Sequence, residues 1–449
     1  MDIFVNSILT LFVILLVSRV LKRHITIFQK YFIPSSLIAG IIGLILGPQI
    51  IGIIPSEVTS LWSQMPKHLI IVVFAGLFLG KHIPKAKKIW ELAGPMISFG
   101  MIIAWGHYVI GLLLTIFILT PIFGANPLVA SLIEISFQGG HGTVAGLANT
   151  FNQLGWPEGT DIGYAIATLS IVVAIISGIL FINIHARKKN DKVDENTYKK
   201  QKQVMIRSGY NLAKLSEKLE KHPEKLLIHI GAFAISITIG WFILRSLISL
   251  ENIFLTGVTE MRFFRYLPLF PLAMIGGLIV QLVLMKIKKD HIIDKAIIHN
   301  FSTIALDFLI ASALATVSLN VIGENYQIFL ILSVAGIVWI LGSFVVFAPI
   351  IFKKDWFVNG ITNIGQAMGV TATGLLLNRL SDPGNKAKAR EIFGYKQLIF
   401  EMFMGGGIIT AISAVMIFQL GTFITLMISL ASLVFWLAIG LIPPLINKR

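Results

Sequence analysis

Phe137-Gln-Gly-Gly-His-Gly-Thr-Val-Ala-Gly-Leu-Ala-Asn149 and Asn363-Ile-Gly-Gln-Ala-Met-Gly-Val-Thr-Ala-Thr-Gly-Leu-Leu-Leu-Asn378 decide how this chain is read. Each interrupts a long apolar run with glycines and neutral polar residues, and the two lie about half a chain apart. Backbone that leaves the helix at membrane depth needs its freed N–H and C=O groups satisfied by protein, water or a ligand, so such breaks are tolerated where they line a cavity. Two breaks at corresponding positions of two halves point to a transport site.

Composition fixes the class. A chain of 449 residues with 55% hydrophobic and 13% charged residues, and a mean hydropathy of +0.83, reads as an all-α polytopic membrane protein. The net charge of +15 does not indicate nucleic acid, whose readers cluster Lys and Arg with aromatics on a folded face. Here the basic residues fall between apolar runs. Cysteine is absent, which excludes disulfides, thiolate metal sites and cysteine nucleophiles. The apolar N-terminus follows Asp2 rather than a basic region and reads as a first span, not a signal peptide.

Apolar runs lie at approximately 3–21, 33–54, 66–80, 94–120, 162–184, 226–249, 266–286, 300–322, 327–350, 396–418 and 422–444. The glycine-rich segments 126–153 and 358–380 remain. Each has about ten apolar residues on either side of its break, a rise of roughly 15 Å or half the hydrocarbon thickness, which is the reach of a re-entrant hairpin. Alternating the loops between two sides places 33 of the 37 basic residues together and leaves Lys67, Arg245, Arg262 and Arg265 opposite. The positive-inside rule then sets the N-terminus outside and the C-terminus inside a cell membrane. The run at 66–80 is the weak point of this parity, being short for a crossing and containing Gly76.

Spans one to five with the first hairpin form one unit, residues 1–184, and spans six to ten with the second form another, 226–418. Five is odd, so the two repeats have inverted topology and their hairpins enter from opposite faces, the geometry of alternating access. Residues 185–225 form a basic connector with a candidate surface helix from Lys214, and 419–449 hold one extra C-terminal span and the tail.

In the first hairpin the candidate substrate-binding residues are Gln138, Gly139, Gly140, His141, Gly142 and Thr143. Amides following a break can face an anion at a half-helix N-terminus, while freed carbonyls suit a bare cation. The plainer reading is close glycine packing between helices; the matched pair with flanking Asn, Gln and Thr favours a site. His141 can hydrogen-bond a carboxylate or satisfy the broken backbone. In the second hairpin Asn363, Gly365, Gln366, Gly369, Thr371 and Thr373 are the candidates. Arg379 can meet an anion from the cytoplasmic side, although a positive-inside flank explains it more simply. Glu134, Asn149, Asp307, Asn378 and Glu401 are the cation-binding candidates. Glu134 can equally sit in a hydrated vestibule, and Asp307 and Glu401 can equally answer a buried structural partner such as a helix-end N–H.

Glu134-Ile-Ser-Phe-Gln-Gly-Gly-His-Gly-Thr143 resembles the first pore-loop motif of the bacterial sodium/glutamate symporter family, and the segment from Asn359 to Asp382 is similar to its second loop. The resemblance extends from span one through span ten. It implies two inverted five-span domains with hairpins at their interface and sodium-driven uptake of L-glutamate. No cofactor is implied beyond sodium as coupling ion. The expected partners are L-glutamate or a related carboxylate, sodium, membrane lipid and a second copy of the chain, with no nucleic acid. The second hairpin's Asn-Ile-Gly-Gln-Ala-Met-Gly departs from a denser glycine run, and an eleventh span follows.

An enzyme is not expected: the chain has no His-Glu-x-x-His helix and no Gly-x-Ser-x-Gly elbow. A passive channel is the nearer rival, since two opposed hairpins can form a pore. A carrier of another carboxylate or amino acid, coupled to sodium or protons, shares the architecture.

Overall fold

The computed structural model describes residues 2–188, 224–255, 259 and 261–446. The connector 185–225, with its candidate surface helix, lies largely outside the described residues. Among those described, the regular elements are helical. Seven stretches are long and apolar enough to cross a membrane: Ile3–His24, Ala86–Phe123, Glu158–Arg187, Glu224–Leu255, Lys295–Ala315, Tyr326–Phe352 and Ala389–Ile442.

The expected eleven runs shrink for identifiable reasons. The run at 33–54 keeps only the helix Ser35–Leu46, because Gly47-Pro48 stops it, and the run at 266–286 keeps Phe270–Lys286. The run at 66–80 overlaps a longer helix, Ser56–Ala75, whose start is less apolar and carries Glu57, with Lys67 just past its midpoint. The run at 396–418 is not continuous: Ala389–Phe403 ends at Met404-Gly405-Gly406-Gly407 and a new helix, Ile408–Ile446, begins and kinks at Gly421.

Contacts divide the chain into two compact units. The first gathers Met1–Ile83, Ala145–Gln153 and Val204–Leu319. Its helices are α1 (Ile3–His24), α2 (Ser35–Leu46) and α3 (Ser56–Ala75) from the first half, with three more from the second half. The second unit gathers Pro84–Val144, Leu154–Gln203 and Asn320–Arg449. From the first half it takes α4 (Ala86–Leu114, prolonged through a π turn to Phe123), α5 (Leu132–Phe137), the start of α6 (Gly140–Gln153) and α7 (Glu158–Lys188). The later helices are α8 (Glu224–Leu255), α9 (Phe270–Lys286) and α10 (Lys295–Ala315) in the first unit. Those of the second are α11 (Tyr326–Val346), α12 (Trp356–Met368), α13 (Thr371–Ser381), α14 (Ala389–Phe403) and α15 (Ile408–Ile446).

Packing partners recur in the same order in both halves. Within the first unit α1 packs on α2 and α2 on α10, as α8 packs on α9 and α9 on α3, with α3 and α10 in contact. Within the second, α4 meets α14 as α11 meets α7; α5 lies on α7 as α12 lies on α14; and α4 touches α11. Small residues permit these approaches: a Cβ on Gly276 of α9 would stand 2.0 Å from the Ser236 carbonyl oxygen of α8. The apolar cores are separate clusters. One packs Leu11, Ala39, Trp62 and Ala311, with the indole of Trp62 donating to the Ser7 carbonyl at 2.9 Å.

Candidate functional site

The two glycine-rich segments are helix–break–helix. The first leaves the helix at Gln138-Gly139 between α5 and α6, the second at Gly369-Val370 between α12 and α13, and both breaks lie in the second unit. They approach one another: a Cβ built on Gly140 would sit 3.3 Å from Val370 Cγ1. Gly140 has φ +65°, a conformation that glycine adopts without penalty.

The sequence repeats one local device at both breaks. Gly139 is followed four residues on by Thr143, Gly369 by Thr373, and a Cβ on either glycine would fall 2.6 Å from the threonine's Cβ and Oγ1. Thr143 Oγ1 donates to the Gly139 carbonyl at 3.0 Å. The N-termini of α6 and α13 face the breaks with the positive ends of both dipoles. In α13 the amides of Thr373 and Gly374 already donate to the Val370 carbonyl at 2.9 and 3.2 Å, so those of Thr371 and Ala372 are the ones its own turn does not use.

Polar side chains around the first break are buried and incompletely matched. Gln138 is 4% exposed and neither amide atom has a partner. Ser136 Oγ and both ring nitrogens of His107, whose ring centroid lies 5.7 Å from that of Phe137, are likewise unpartnered. His141 Nε2 stands 2.9 Å from Thr168 Oγ1. That hydroxyl already donates to the Tyr164 carbonyl at 2.8 Å, so the imidazole is the donor, and in the neutral ring Nδ1 is a bare acceptor without a partner. Glu134 does not line a vestibule. It is fully buried and accepts from Tyr108 Oη, Gly405 N and Thr410 Oγ1, each at 2.9 Å.

At the second break Thr371 donates to Glu401 Oε1 at 2.7 Å, and Gln397 Nε2 donates to Thr371 Oγ1 at 2.8 Å and Glu401 Oε1 at 2.6 Å. Gln366 Oε1 accepts from Lys396 Nζ at 2.7 Å. Asn363 donates back to the Asn359 carbonyl at 3.0 Å and its own Oδ1 is unpartnered. Gly365 is a packing glycine, since a Cβ there would lie 3.0 Å from Gly374 Cα on the opposite arm.

Four other sequence candidates lie elsewhere or are already engaged. Asn378 donates to Thr362 Oγ1 at 2.9 Å and accepts from Arg390 Nε at 3.0 Å, which ties the far end of α13 to α14. Arg390, not Arg379, grips that end; Arg379 is half-buried. Asn149 is exposed on α6. Asp307 is in the first unit, paired with Arg19 at 3.3 Å. Sequence reading missed Lys396, which it counted among the cytoplasmic charges. The signal was present: Phe393, Lys396 and Phe400 are spaced for one helix face, and the ammonium lies 3.6 Å from the Phe400 ring centroid.

No curated relative matches the chain. The family model described as sodium/glutamate symporter matches residues 1–378, closing inside α13 and short of Lys396 and Glu401. That match spans most of the chain and both breaks, so the chain belongs to the sodium/glutamate symporter family: a multi-pass membrane transporter rather than an enzyme, with sodium as its coupling ion and glutamate as the substrate the family carries.

Proposed function

We propose that this protein takes up L-glutamate across the cytoplasmic membrane by sodium symport, through alternating access at the two breaks. The approach of Gly140 to Val370, with two helix N-termini and unpartnered buried polar groups around it, carries the reading. Substrate carboxylates meet the open first-turn amides of α6 and α13 and the hydroxyl of Thr373, while the hydroxyls of Thr143 and Thr371 reach the substrate only by exchanging their present acceptors, the Gly139 carbonyl and Glu401. The bare Nδ1 of His141 accepts from the substrate ammonium, and the amide of Gln138 acquires its partners from the ligand. Glutamate is a net anion, and moving it into a low-dielectric site is costly unless a cation accompanies it. Sodium supplies that charge at the carbonyl ends of the broken helices. Coupling follows because each binds poorly alone.

In this reading residues 1–184 and 226–418 are inverted repeats joined by 185–225, the broken segments are re-entrant hairpins, and 419–449 add one span. The recurring order of packing partners in the two halves supports the repeat. The excess of Lys and Arg in alternate loops supports an N-terminus outside and a C-terminus inside.

The test is uptake of labelled L-glutamate into proteoliposomes under an inward sodium gradient, against potassium and proton gradients, with aspartate and citrate as competitors. Saturable, sodium-dependent uptake is the expected result. Sodium current without substrate would make the protein a channel; flux driven by protons or of another anion would keep the fold and replace the coupling or the substrate.

A further inference from the structure

The two breaks share their backbone device but not their charge. Three residues before Gly369 stands Gln366, and its carbonyl oxygen holds the ammonium of Lys396 at 2.7 Å. Three residues before Gly139 stands Ser136, whose hydroxyl is buried and has no partner, followed by Gln138 with both amide atoms free. Lys396 is 0% exposed. Its ammonium lies 3.6 Å from the ring centroid of Phe400 and 5.5 Å from that of Phe393. Glu401, five residues on, is the carboxylate whose field reaches Lys396, and no direct salt bridge joins the two. Lysine is almost never fully buried unless paired, and an uncompensated buried ammonium is costly. Room has been left for it: a Cβ on Gly100 of α4 would stand 2.8 Å from Lys396 Cε.

What surrounds this ammonium is a cation cage of an amide oxygen, two aromatic faces and the last turn of α12, whose unsatisfied carbonyls and negative dipole end favour positive charge. The corresponding last turn of α5 offers the same kind of helix end, with oxygens from Ser136 and Gln138, and the basic side chains beside it are the imidazoles of His107 and His141 rather than a lysine. We propose that Lys396 is a tethered cation, filling at the second break the place that a coupling sodium ion takes at the first. One cation site of the pair is thus built into the chain, and sodium is required at the other.

The inference rests on the two breaks forming the transport site, and its test separates the two. In proteoliposomes the sodium-to-glutamate flux ratio is measured for the wild type, Lys396→Met and Lys396→Arg. Lys396→Met, similar in shape and neutral, is expected to take one further sodium ion per glutamate, and Lys396→Arg to keep the wild-type ratio. An active Lys396→Met with an unchanged ratio overturns the proposal. If Lys396→Met does not transport, the readout becomes thermal stabilisation of the purified protein by sodium against potassium, without glutamate. There the sodium dependence of the variant should steepen by one ion, and a Lys396→Met protein that sodium neither stabilises nor folds overturns the proposal. Because this readout needs no substrate, it remains decisive if the wild type transports an anion other than glutamate.

Discussion

The two breaks are alike in backbone and unlike in satisfaction. Both place a glycine against the side chain of a threonine four residues on, and both aim the first turn of a helix at the gap. Around the first, Ser136, Gln138, His141 and His107 hold buried atoms with nothing to bond. Around the second, Gln366 is met by Lys396, and Thr371, Gln397 and Glu401 hydrogen-bond one another, with single acceptor oxygens of Asn363 and Gln397 left over rather than whole side chains. Their turns differ as well. Gly140 adopts φ +65° freely, whereas Val370 is held at φ +155°, a region that costs a non-glycine residue on the order of 1–3 kcal/mol. Shared geometry with divergent polar chemistry separates what shapes the site from what fills it.

The largest effect should come from what the breaks share. Gly139→Ile and Gly369→Ile each drive a side chain into the threonine, and uptake should fall on the order of 10²-fold, the scale of a misplaced positioning group, with membrane insertion intact by protease mapping. Unequal losses would mean that one break alone carries the substrate. Next comes the contrast between the two glutamines. Gln366→Leu strands the Lys396 ammonium and should lower stability by about 1.5–3 kcal/mol, read as a lower Tm without ligand. Gln138→Leu removes no hydrogen bond and replaces an unmatched buried amide by an apolar group, so stability should hold or rise, while the KM for substrate rises. A Tm loss for Gln138→Leu as large as that for Gln366→Leu would erase the distinction. The smallest effect belongs to Val370→Gly: released strain and added chain entropy oppose one another, leaving a net change of about 1 kcal/mol or less, with uptake preserved. Gly140→Val, which both strains its backbone and meets Val370, should lose it.

Much of this was legible in the residues. Glycine beside neutral polar residues inside apolar runs placed one break within Phe137–Asn149 and the other within Asn363–Asn378, where the helix is left at Gln138-Gly139 and Gly369-Val370, because backbone permissiveness and local hydrogen bonding explain that pairing. The membrane class followed from composition. What stayed hidden depended on partners remote in sequence. Nothing near Glu134 announces that Gly405 and Thr410 satisfy it, and nothing near Asp307 announces Arg19. Lys396 was misplaced because a lysine at the edge of an apolar run looks like a flank, although the phenylalanines three before and four after marked its face. Met404-Gly405-Gly406-Gly407 was a visible stop that a hydropathy average smooths over, just as Glu57 and Lys67 hid the N-terminal part of α3.

Glu134 also sets a timetable for synthesis. Its carboxylate, buried at the first break, draws two of its three hydrogen bonds from Gly405 and Thr410, the nearer of which is 271 residues further along the chain. At ordinary translation rates the ribosome needs roughly 15–55 s to reach them. Over that interval the nascent chain carries a carboxylate in its first half with Tyr108 as its one native donor yet made, so the first broken segment is written early and is locked only when the last helix arrives.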